Sequence, residues 1–220
     1  MINKLESIKK LDFFSSLTDK DIDTISNISN IIKHPKGSIL YYENDTHNKL
    51  FFLVSGLLKI YKIDKYEHEI FLYNIYENSL ISELTTIDNS AIHCFSNAEF
   101  LEDSIILEVD FLKLKEKFLS KNILNNEFIN EILLKTYQLH CVVNRELVFD
   151  ATSKVAYMLC DDLDMFNRLK RQEISFMLHI QPETLSRVLK KLKRSELIDI
   201  DNSEIIINDI DALKNIYRGE

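Results

Sequence analysis

The chain has 220 residues, 45% of them hydrophobic, and a formal net charge of −8 at pH 7. This length and apolar content predict a globular protein of one or two domains and exclude a disordered chain. No apolar run approaches the roughly 20 residues that span a bilayer, and the first residues, MINKLESIKK, lack the apolar stretch of a signal peptide. We therefore expect a cytoplasmic protein without a membrane partner.

Short β-rich runs follow one another between Ile31 and Asp110, namely ILYY, LFFLVS, LLKIYKI, IFLYNIY and IILEV. Turn signals separate them at Pro35-Lys36-Gly37, Glu43-Asn44-Asp45 and Asp88-Asn89-Ser90. Many short strands with turns about ten residues apart predict a sandwich or a roll, and they argue against βαβ units.

The pattern becomes helical from Phe111, with a short piece up to Phe118 and then a longer helix from about Asn125 to Phe149. Spacings of four and three alternate along one side of the longer helix, through Ile129, Leu133, Thr136, His140, Val143 and Leu147. We call these six residues the seam. A heptad seam of this length predicts pairing with a second copy in a parallel homodimer. The alternative is that the seam packs only on the roll.

Asp150 offers a side-chain cap for a helix that begins near Ala151, and it marks a domain boundary. Further on, the runs LIDID and EIIIN predict a two-stranded wing, with Asn208 or Asp209 opening a last helix.

The segment Arg171 to Leu192 predicts two short helices around a tight turn. Ile174, Met177 and Leu178 give the first helix one apolar stripe. Pro182 suits the first position of the second helix, where its fixed φ fits and its missing N–H costs nothing. The buried stripe of that second helix is predicted to contain Leu185, Val188, Leu189 and Leu192.

The charge is distributed unevenly along the chain. Residues 1–150 carry 16 Lys and Arg against 23 Asp and Glu, whereas residues 168–194 carry 8 basic and 2 acidic residues. The positive field therefore lies on the helical pair, which predicts double-stranded DNA as a partner. A basic helix face that is merely solvated is the alternative.

In these two helices the chain resembles the CRP/FNR family of bacterial transcription regulators. The second helix is similar in Glu183-Thr184-Leu185-Ser186-Arg187 and the first in Arg171-Gln172-Glu173-Ile174. The likeness extends over nearly the whole chain, through LDFFSSLTDKDIDTIS, HPKGSILYYENDTHNKLFFLVSGLLKIYK, LEDSIILEVD and VFDATSKVAYML.

The resemblance implies an α+β fold with three parts. These are a cyclic-nucleotide-binding-like β-roll of the double-stranded jelly-roll type in residues 1–118, a dimerisation helix in 119–149, and a winged helix-turn-helix in 150–220. It also implies a homodimeric, sequence-specific DNA-binding regulator, with RNA polymerase as a further partner if the protein activates transcription.

Three residues are predicted to read bases. The Arg187 guanidinium matches guanine N7 and O6, and the Glu183 carboxylate accepts from a base amino group. These two residues are four apart, so they lie on one helix face, where Ser186 adds a hydroxyl. This combination resembles the family branch that reads TTGA-type half-sites; the branch that reads a G-richer half-site commonly has Arg where this chain has Pro182.

The predicted phosphate contacts are Arg171, Gln172, Thr184, Lys190 and Lys191. For the lysines, weak contacts from a solvated face are the alternative. His179 stands in the turn where the family usually has glycine, so we expect backbone strain there.

The sensing pocket departs from the family pattern. Cyclic-nucleotide-binding members carry Gly-Glu-Leu in the roll and, some ten residues on, an Arg-Ser pair for the phosphate. Here those positions align with Ser82-Glu83-Leu84 and with Ile92-His93, and no Lys or Arg lies between Lys65 and Lys113. A buried anion without a cation is costly, so cyclic AMP is disfavoured. The pair that would touch the purine aligns with Leu139-His140.

The effector itself stays open. The candidate pocket holds residue types that ligate haem iron, and haem sensors occur in the family: His93 and Cys94 from the roll, and His140 with Cys141 from the helix. An unidentified small molecule, or control through abundance alone, are the alternatives. None of the three cysteines, Cys94, Cys141 and Cys160, precedes residue 94, which excludes the family's N-terminal iron–sulfur sensing, and their spacing predicts no metal site.

Two other function classes compete with DNA binding. The first is a sensor module that controls a protein partner and does not bind DNA. The second is a metal-dependent, cupin-like enzyme, which we disfavour because the four roll histidines are dispersed without a His-x-His pair: His34, His47, His68 and His93. We therefore expect no enzymatic activity.

Overall fold

The computed structural model describes residues 3–84, 91–202 and 204–218. The turn predicted at Asp88-Asn89-Ser90 lies outside them. The chain divides into two compact units, residues 1–138 and 139–220, which are described separately here.

The first unit is rich in short strands, and each of the five predicted β-rich runs forms one. The strands of its described residues are β1 (Ser29–His34), β2 (Ile39–Tyr41), β3 (Thr46–His47), β4 (Lys49–Ser55), β5 (Leu57–Ile63), β6 (Glu69–Tyr76), β7 (Ser79–Leu80), β8 (Ile92–His93), β9 (Asn97–Phe100) and β10 (Ser104–Asp110).

These strands form a β-roll of two four-stranded antiparallel sheets. One sheet has the order β1-β10-β4-β7 and the other the order β2-β9-β5-β6, while β3 and β8 make a short separate ladder. This arrangement confirms the predicted roll and the α+β class.

Strand β4 shows how the core of the roll is built. Successive side chains of a strand point to opposite faces. Leu50 and Phe52 accordingly join a cluster that includes the N-terminal helices, while Phe51 and Leu53 join a second cluster with residues of both sheets. Both faces of β4 are buried, which explains its unbroken apolar sequence.

The described part of the first unit also contains two 3-10 helical turns, at Asp12–Phe14 and Leu119–Lys121, and four α-helices: α1 (Lys4–Lys10), α2 (Asp19–Asn27), α3 (Phe111–Lys117) and α4 (Asn125–Val143). The last residues of α4, from Leu139, belong to the second unit. No helix in the described segments is long and apolar enough to cross a membrane.

Gly56 makes the tight turn between β4 and β5. Its φ is +106°, and a Cβ there would lie 2.9 Å from the Cα of Ser104. Only glycine meets both demands without displacing the neighbouring backbone.

The second unit contains the predicted winged helix-turn-helix elements. After α4, a π-helical turn covers Asn144–Val148. The elements that follow are α5 (Ala151–Asp161), α6 (Leu163–Arg168), α7 (Arg171–Met177), α8 (Pro182–Arg194), β11 (Ile198–Asp201), β12 (Glu204–Ile207) and α9 (Ile210–Arg218). The two strands pair antiparallel, which confirms the wing.

Asp150 caps α5 as predicted, because its Oδ1 accepts from the Ser153 N–H at 2.7 Å. The prediction of a single helix up to Phe149 is wrong for its last residues. The α-helix ends at Val143, the π-helical turn follows, and Phe149 is extended.

Helix α4 presents two different sides. Phe128 is 2% exposed and packs in the roll core, and Glu131 and Lys135 are partly buried on the same side. The seam residues Ile129 and Leu133 are 53% and 60% exposed. The alternative in which the seam packs on the roll is therefore wrong for this part of the helix. The other seam residues, Thr136, His140, Val143 and Leu147, are also exposed.

Candidate nucleic-acid interface and sensing pocket

Helices α7 and α8 bury the stripes that the sequence predicts. Ile174 and Leu178 of the first stripe are 0% and 2% exposed, and Met177 is partly buried. The four stripe residues of α8, namely Leu185, Val188, Leu189 and Leu192, are all at most 6% exposed. Pro182 occupies the first position of α8. Burial of these stripes fixes which side of α8 faces solvent.

The solvent-facing side of α8 carries the three predicted base-reading residues. Glu183, Ser186 and Arg187 are all exposed. The Arg187 guanidinium lies along its own helix, 3.4 Å from both the Glu183 carbonyl oxygen and Thr184 Oγ1. Contacts of this length are weak, so the guanidinium is oriented by its helix and remains available to a partner.

Four cations continue this side as a basic groove of about 380 Å³. It is lined by Arg187, Lys190, Lys191, Arg194 and Ser195. No carboxylate of residues 3–84, 91–202 or 204–218 lies within 4.0 Å of any of these four cations, which is the distance limit for an ion pair. By contrast, Lys193 pairs with Asp199 at 2.6 Å. The groove cations are therefore free of ion pairs, although the charge of Lys191 helps to lower the pKa of Asp150, and cations of this kind can bind phosphates.

The remaining predicted phosphate contacts flank this groove in sequence. Arg171 begins α7, and its guanidinium lies 5.2 Å from the centre of the Phe166 ring. This cation–π contact holds the planar group, whose pKa burial lowers from its ordinary value. Gln172 is exposed and Thr184 is partly buried.

In the roll, Glu83 and Ser82 are engaged by the protein itself. The Glu83 carboxylate accepts from the Phe95 N–H at 2.7 Å and from the Ser96 hydroxyl at 2.8 Å. Ser82 is fully buried, and its hydroxyl accepts from the Phe51 N–H at 2.9 Å. These bonds tie Glu83 to residues 95 and 96 and tie Ser82 to β4.

A cation reaches this part of the roll from helix α4. The Lys135 ammonium donates to the Ile81 carbonyl at 3.2 Å and lies 6.0 Å from the centre of the Tyr73 ring. No carboxylate of the described residues lies within ion-pair distance of it. Burial lowers the pKa of Lys135 to about 8, against the opposing effect of Glu131 and Glu83. Burial therefore outweighs the attraction of these two carboxylates.

The other predicted pocket residues have different environments. Cys94 is 1% exposed, and burial followed by the charges of Glu83 and Asp45 raises the pKa of its thiol to about 12. The partly buried His93 ring contacts the Phe95 ring edge to face at 4.8 Å.

Ile92 belongs to the core cluster that includes the N-terminal helices, whereas Cys94 belongs to the cluster of the two sheets. Leu139 and His140 lie in the second unit and are exposed.

Two family models match this sequence in consecutive segments. A cyclic nucleotide-binding domain matches residues 31–121, and a Crp-like helix-turn-helix domain matches residues 153–216. The chain belongs to the CRP/FNR family. Its fold is that of a CRP/FNR-type DNA-binding transcription regulator, as the resemblance implied.

Solved CRP/FNR-type structures share this fold. A CooA variant from Carboxydothermus hydrogenoformans is 17% identical, covers 94% of this chain and 95% of its own, and superposes with a TM-score of 0.73. A putative crp/fnr regulator from Eubacterium rectale is 16% identical, with 96% and 99% coverage and a TM-score of 0.65. FixK2 from Bradyrhizobium japonicum is 17% identical, with 86% and 97% coverage and a TM-score of 0.64. The sequence has no match among curated proteins.

In this CRP/FNR protein, Lys135 was not predicted from the sequence. The prediction considered only cations of the roll strands, whereas Lys135 lies on helix α4. The available signal was the second stripe of α4, in which Phe128, Glu131 and Lys135 follow one another at spacings of three and four. That stripe is displaced by one residue from the seam.

The depressed Lys135 pKa has a testable consequence for stability. Above pH 8 the folded protein releases this proton, while the unfolded chain holds it until about pH 10.5. The unfolded state then binds more protons, so the free energy of unfolding rises with pH in this window, by up to about 1.4 kcal/mol per pH unit.

The raised pKa values of the Cys94 thiol and the Tyr73 hydroxyl oppose this rise, so urea unfolding between pH 7.5 and 10.5 should show it as a more positive pH slope in the parent than in Lys135→Met. Lys117→Met, at an exposed lysine of α3, should keep the slope of the parent. Equal pH slopes in Lys135→Met and the parent would contradict the burial of this ammonium.

Proposed function

We propose that this protein is a homodimeric regulator that reads a TTGA-type palindrome and responds to an effector held in the roll. The observation that carries the proposal is the exposed side of α8. There Glu183, Ser186 and Arg187 stand beside a groove of cations without ion-pair partners among the described residues. Base-edge donors and acceptors next to unpaired positive charge are what a DNA-reading helix requires.

The half-site preference follows from the residue types. Arg187 offers two parallel donors to a guanine, and Glu183, one turn earlier, offers an acceptor to the amino group of a neighbouring cytosine or adenine. Pro182 has no polar group and cannot add the second arginine contact that a G-richer half-site would use. A TTGA-type half-site agrees with this set.

The proposal of a homodimer rests on the exposed side of α4. Its exposed large apolar side chains are Ile129, Ile132, Leu133, Leu134, Tyr137, Leu139 and Val143, each 37% to 62% exposed. A contiguous apolar surface of this kind marks an interaction site in a soluble protein. The heptad spacing of the seam supports a second copy of the same helix as the partner.

The charge around Lys135 disfavours cyclic AMP. Glu83 and Glu131 are the carboxylates that act on this ammonium, so one cation already faces two anions. A cyclic phosphate would add a third negative charge in a partly buried site. The two Glu83 oxygens that could accept from a ribose already accept from Phe95 and Ser96.

Calorimetry with millimolar cyclic AMP should therefore show no heat of binding and no gain in operator affinity. A ligand without differential affinity for the two conformational states cannot switch the protein. Micromolar binding that disappears in Glu83→Gln would contradict this expectation and would mean that the phosphate position is misassigned.

The described residues fit a thiolate-ligated haem poorly. The Cys94 thiol is buried near Glu83, which keeps it protonated, and the His93 ring is packed against Phe95. We therefore favour a small organic effector over haem. The absorption spectrum and the mass of what co-purifies with the protein test this choice, since a Soret band would establish haem.

Selection of bound duplexes from a random library tests the DNA-reading proposal. The parent chain should enrich a palindrome with TTGA in each half. The Arg187→Ala variant should lose the enrichment at one base pair of each half-site while it remains dimeric. Enrichment of no sequence, with an intact dimer, would instead favour the sensor module that acts through a protein partner.

A further inference from the structure

Two cationic side chains and a histidine ring converge on one carboxylate in the π-helical turn after α4. The Glu146 carboxylate lies 2.7 Å from Arg145 Nε, 2.8 Å from His179 Nδ1 and 3.7 Å from Lys154 Nζ. His179 stands in the turn between α7 and α8, and Lys154 stands in α5. Glu146 therefore links the end of the dimerisation helix to the helix-turn-helix, within the second unit.

These groups are held away from solvent. Arg145 and Lys154 are each 9% exposed, and the side chains of Glu146 and His179 are about a quarter exposed. Burial alone would raise the pKa of Glu146, but hydrogen bonds from Arg145 and His179 outweigh it and lower that pKa. Glu146 is therefore ionised at neutral pH, and its contacts are charge-assisted.

A second bond reinforces the same turn. The Lys154 ammonium donates to the Leu178 carbonyl at 3.1 Å, one residue before His179. The turn is thus fixed at two consecutive residues, once through its backbone and once through a side chain.

His179 adopts a backbone conformation that favours glycine. Its φ is +50°, in the left-handed region that non-glycine residues adopt at a cost. A glycine here would relieve the strain but would have no side chain to reach Glu146. The strained histidine is thus the residue that makes this contact, which gives the position a role beyond the turn itself.

We propose that Glu146 and His179 are positioning residues that set the half-site spacing that the dimer accepts. This inference rests on the proposed DNA-reading function. Helix α8 begins three residues after His179, so tying that turn to Glu146 fixes the start of α8 relative to the π-helical turn that follows α4, within the second unit. Two half-sites are read from one face only when they lie about one helical turn, or roughly 34–36 Å, apart.

The rigidity of this link determines how strictly spacing is read. One extra base pair moves a half-site by about 3.4 Å and rotates it by about a tenth of a turn. A fixed α8 cannot follow that displacement, whereas an α8 released at the turn can. Loss of the contact should therefore broaden spacing tolerance without changing which bases are read.

The experiment measures affinity for three duplexes that carry the selected half-sites with the preferred spacer, one base pair fewer and one more. The parent should discriminate against the altered spacers by at least about tenfold. His179→Gly and Glu146→Gln should each reduce that ratio to a third or less. The double variant should reduce it no further, because the two changes remove one interaction.

Asn202→Gly is the matched control. Asn202 also has a left-handed backbone, with φ of +46°, in the same unit, but it has no contact with Glu146. This variant should keep the spacing ratio of the parent. His179→Gly should fold, because glycine suits the left-handed conformation of the turn, and circular dichroism would check this.

Unchanged spacing discrimination in folded His179→Gly would overturn the inference and leave the proposed function intact. A parent chain that selects a palindrome but binds the three spacers with equal affinity would also overturn the inference and leave the proposed function intact. A parent chain that selects no DNA sequence would overturn both.

Discussion

Arg187→Ala is expected to relax specificity at one base pair of each half-site, at a cost of about 1–3 kcal/mol. The exposed guanidinium lies along α8, held only by two 3.4 Å contacts to its own helix. It can therefore extend to a base without breaking a strong bond. Fluorescence anisotropy with duplexes that carry each of the four bases at each position would measure the loss. Glu183→Ala should relax specificity at an adjacent base pair by a similar amount.

Lys190→Ala provides the comparison on the same helix. Lys190 lines the basic groove three residues beyond Arg187 and has no ion-pair partner among the described residues. Its removal should weaken binding to all sequences about equally and lower the salt slope by about one unit for each lysine removed.

If Arg187→Ala binds the TTGA palindrome as tightly as the parent does, the recognition helix is misassigned.

Leu133→Glu combined with Val143→Glu is expected to convert the dimer to monomers. Both residues lie on the seam, and they are 60% and 48% exposed in the single chain. The variant should therefore fold. In a dimer, however, each helix would bring two unpaired carboxylates into an apolar seam, where burial of an uncompensated charge costs several kcal/mol. Sedimentation velocity would measure the change in mass.

Tyr66→Glu is the control for this experiment. Tyr66 is 66% exposed, but it lies in the roll and not on α4. This variant should remain dimeric. Unchanged dimers in the double seam variant would move the interface away from α4.

The β-rich runs predicted the four longest strands of the roll and β2, but they missed β1, β9 and the three two-residue strands. Runs such as LFFLVS and IFLYNIY carry enough β-branched and aromatic residues to predict a strand. Strands β3, β7 and β8 have two residues each, and they form because antiparallel neighbours lie beside them. Pairing of this kind depends on tertiary contacts that no local pattern contains.

The stripes of α7 and α8 were predictable because burial there follows helical periodicity. Lys135 and Glu146 were not, since each acts through a residue that is distant in the sequence. Lys135 reaches the Ile81 carbonyl, 54 positions away, and Glu146 reaches His179, 33 positions away. The π-helical turn that places Glu146 also interrupts the periodicity on which a sequence-based prediction relies.

The most direct test of the central claim is the affinity of the parent dimer for a TTGA palindrome and for a duplex of the same composition with scrambled half-sites. Both should be measured at one physiological salt concentration, because the phosphate contribution depends on salt. We expect the palindrome to bind at least about a thousandfold more tightly, as specific regulators do. Equal affinity for the two duplexes would contradict the account.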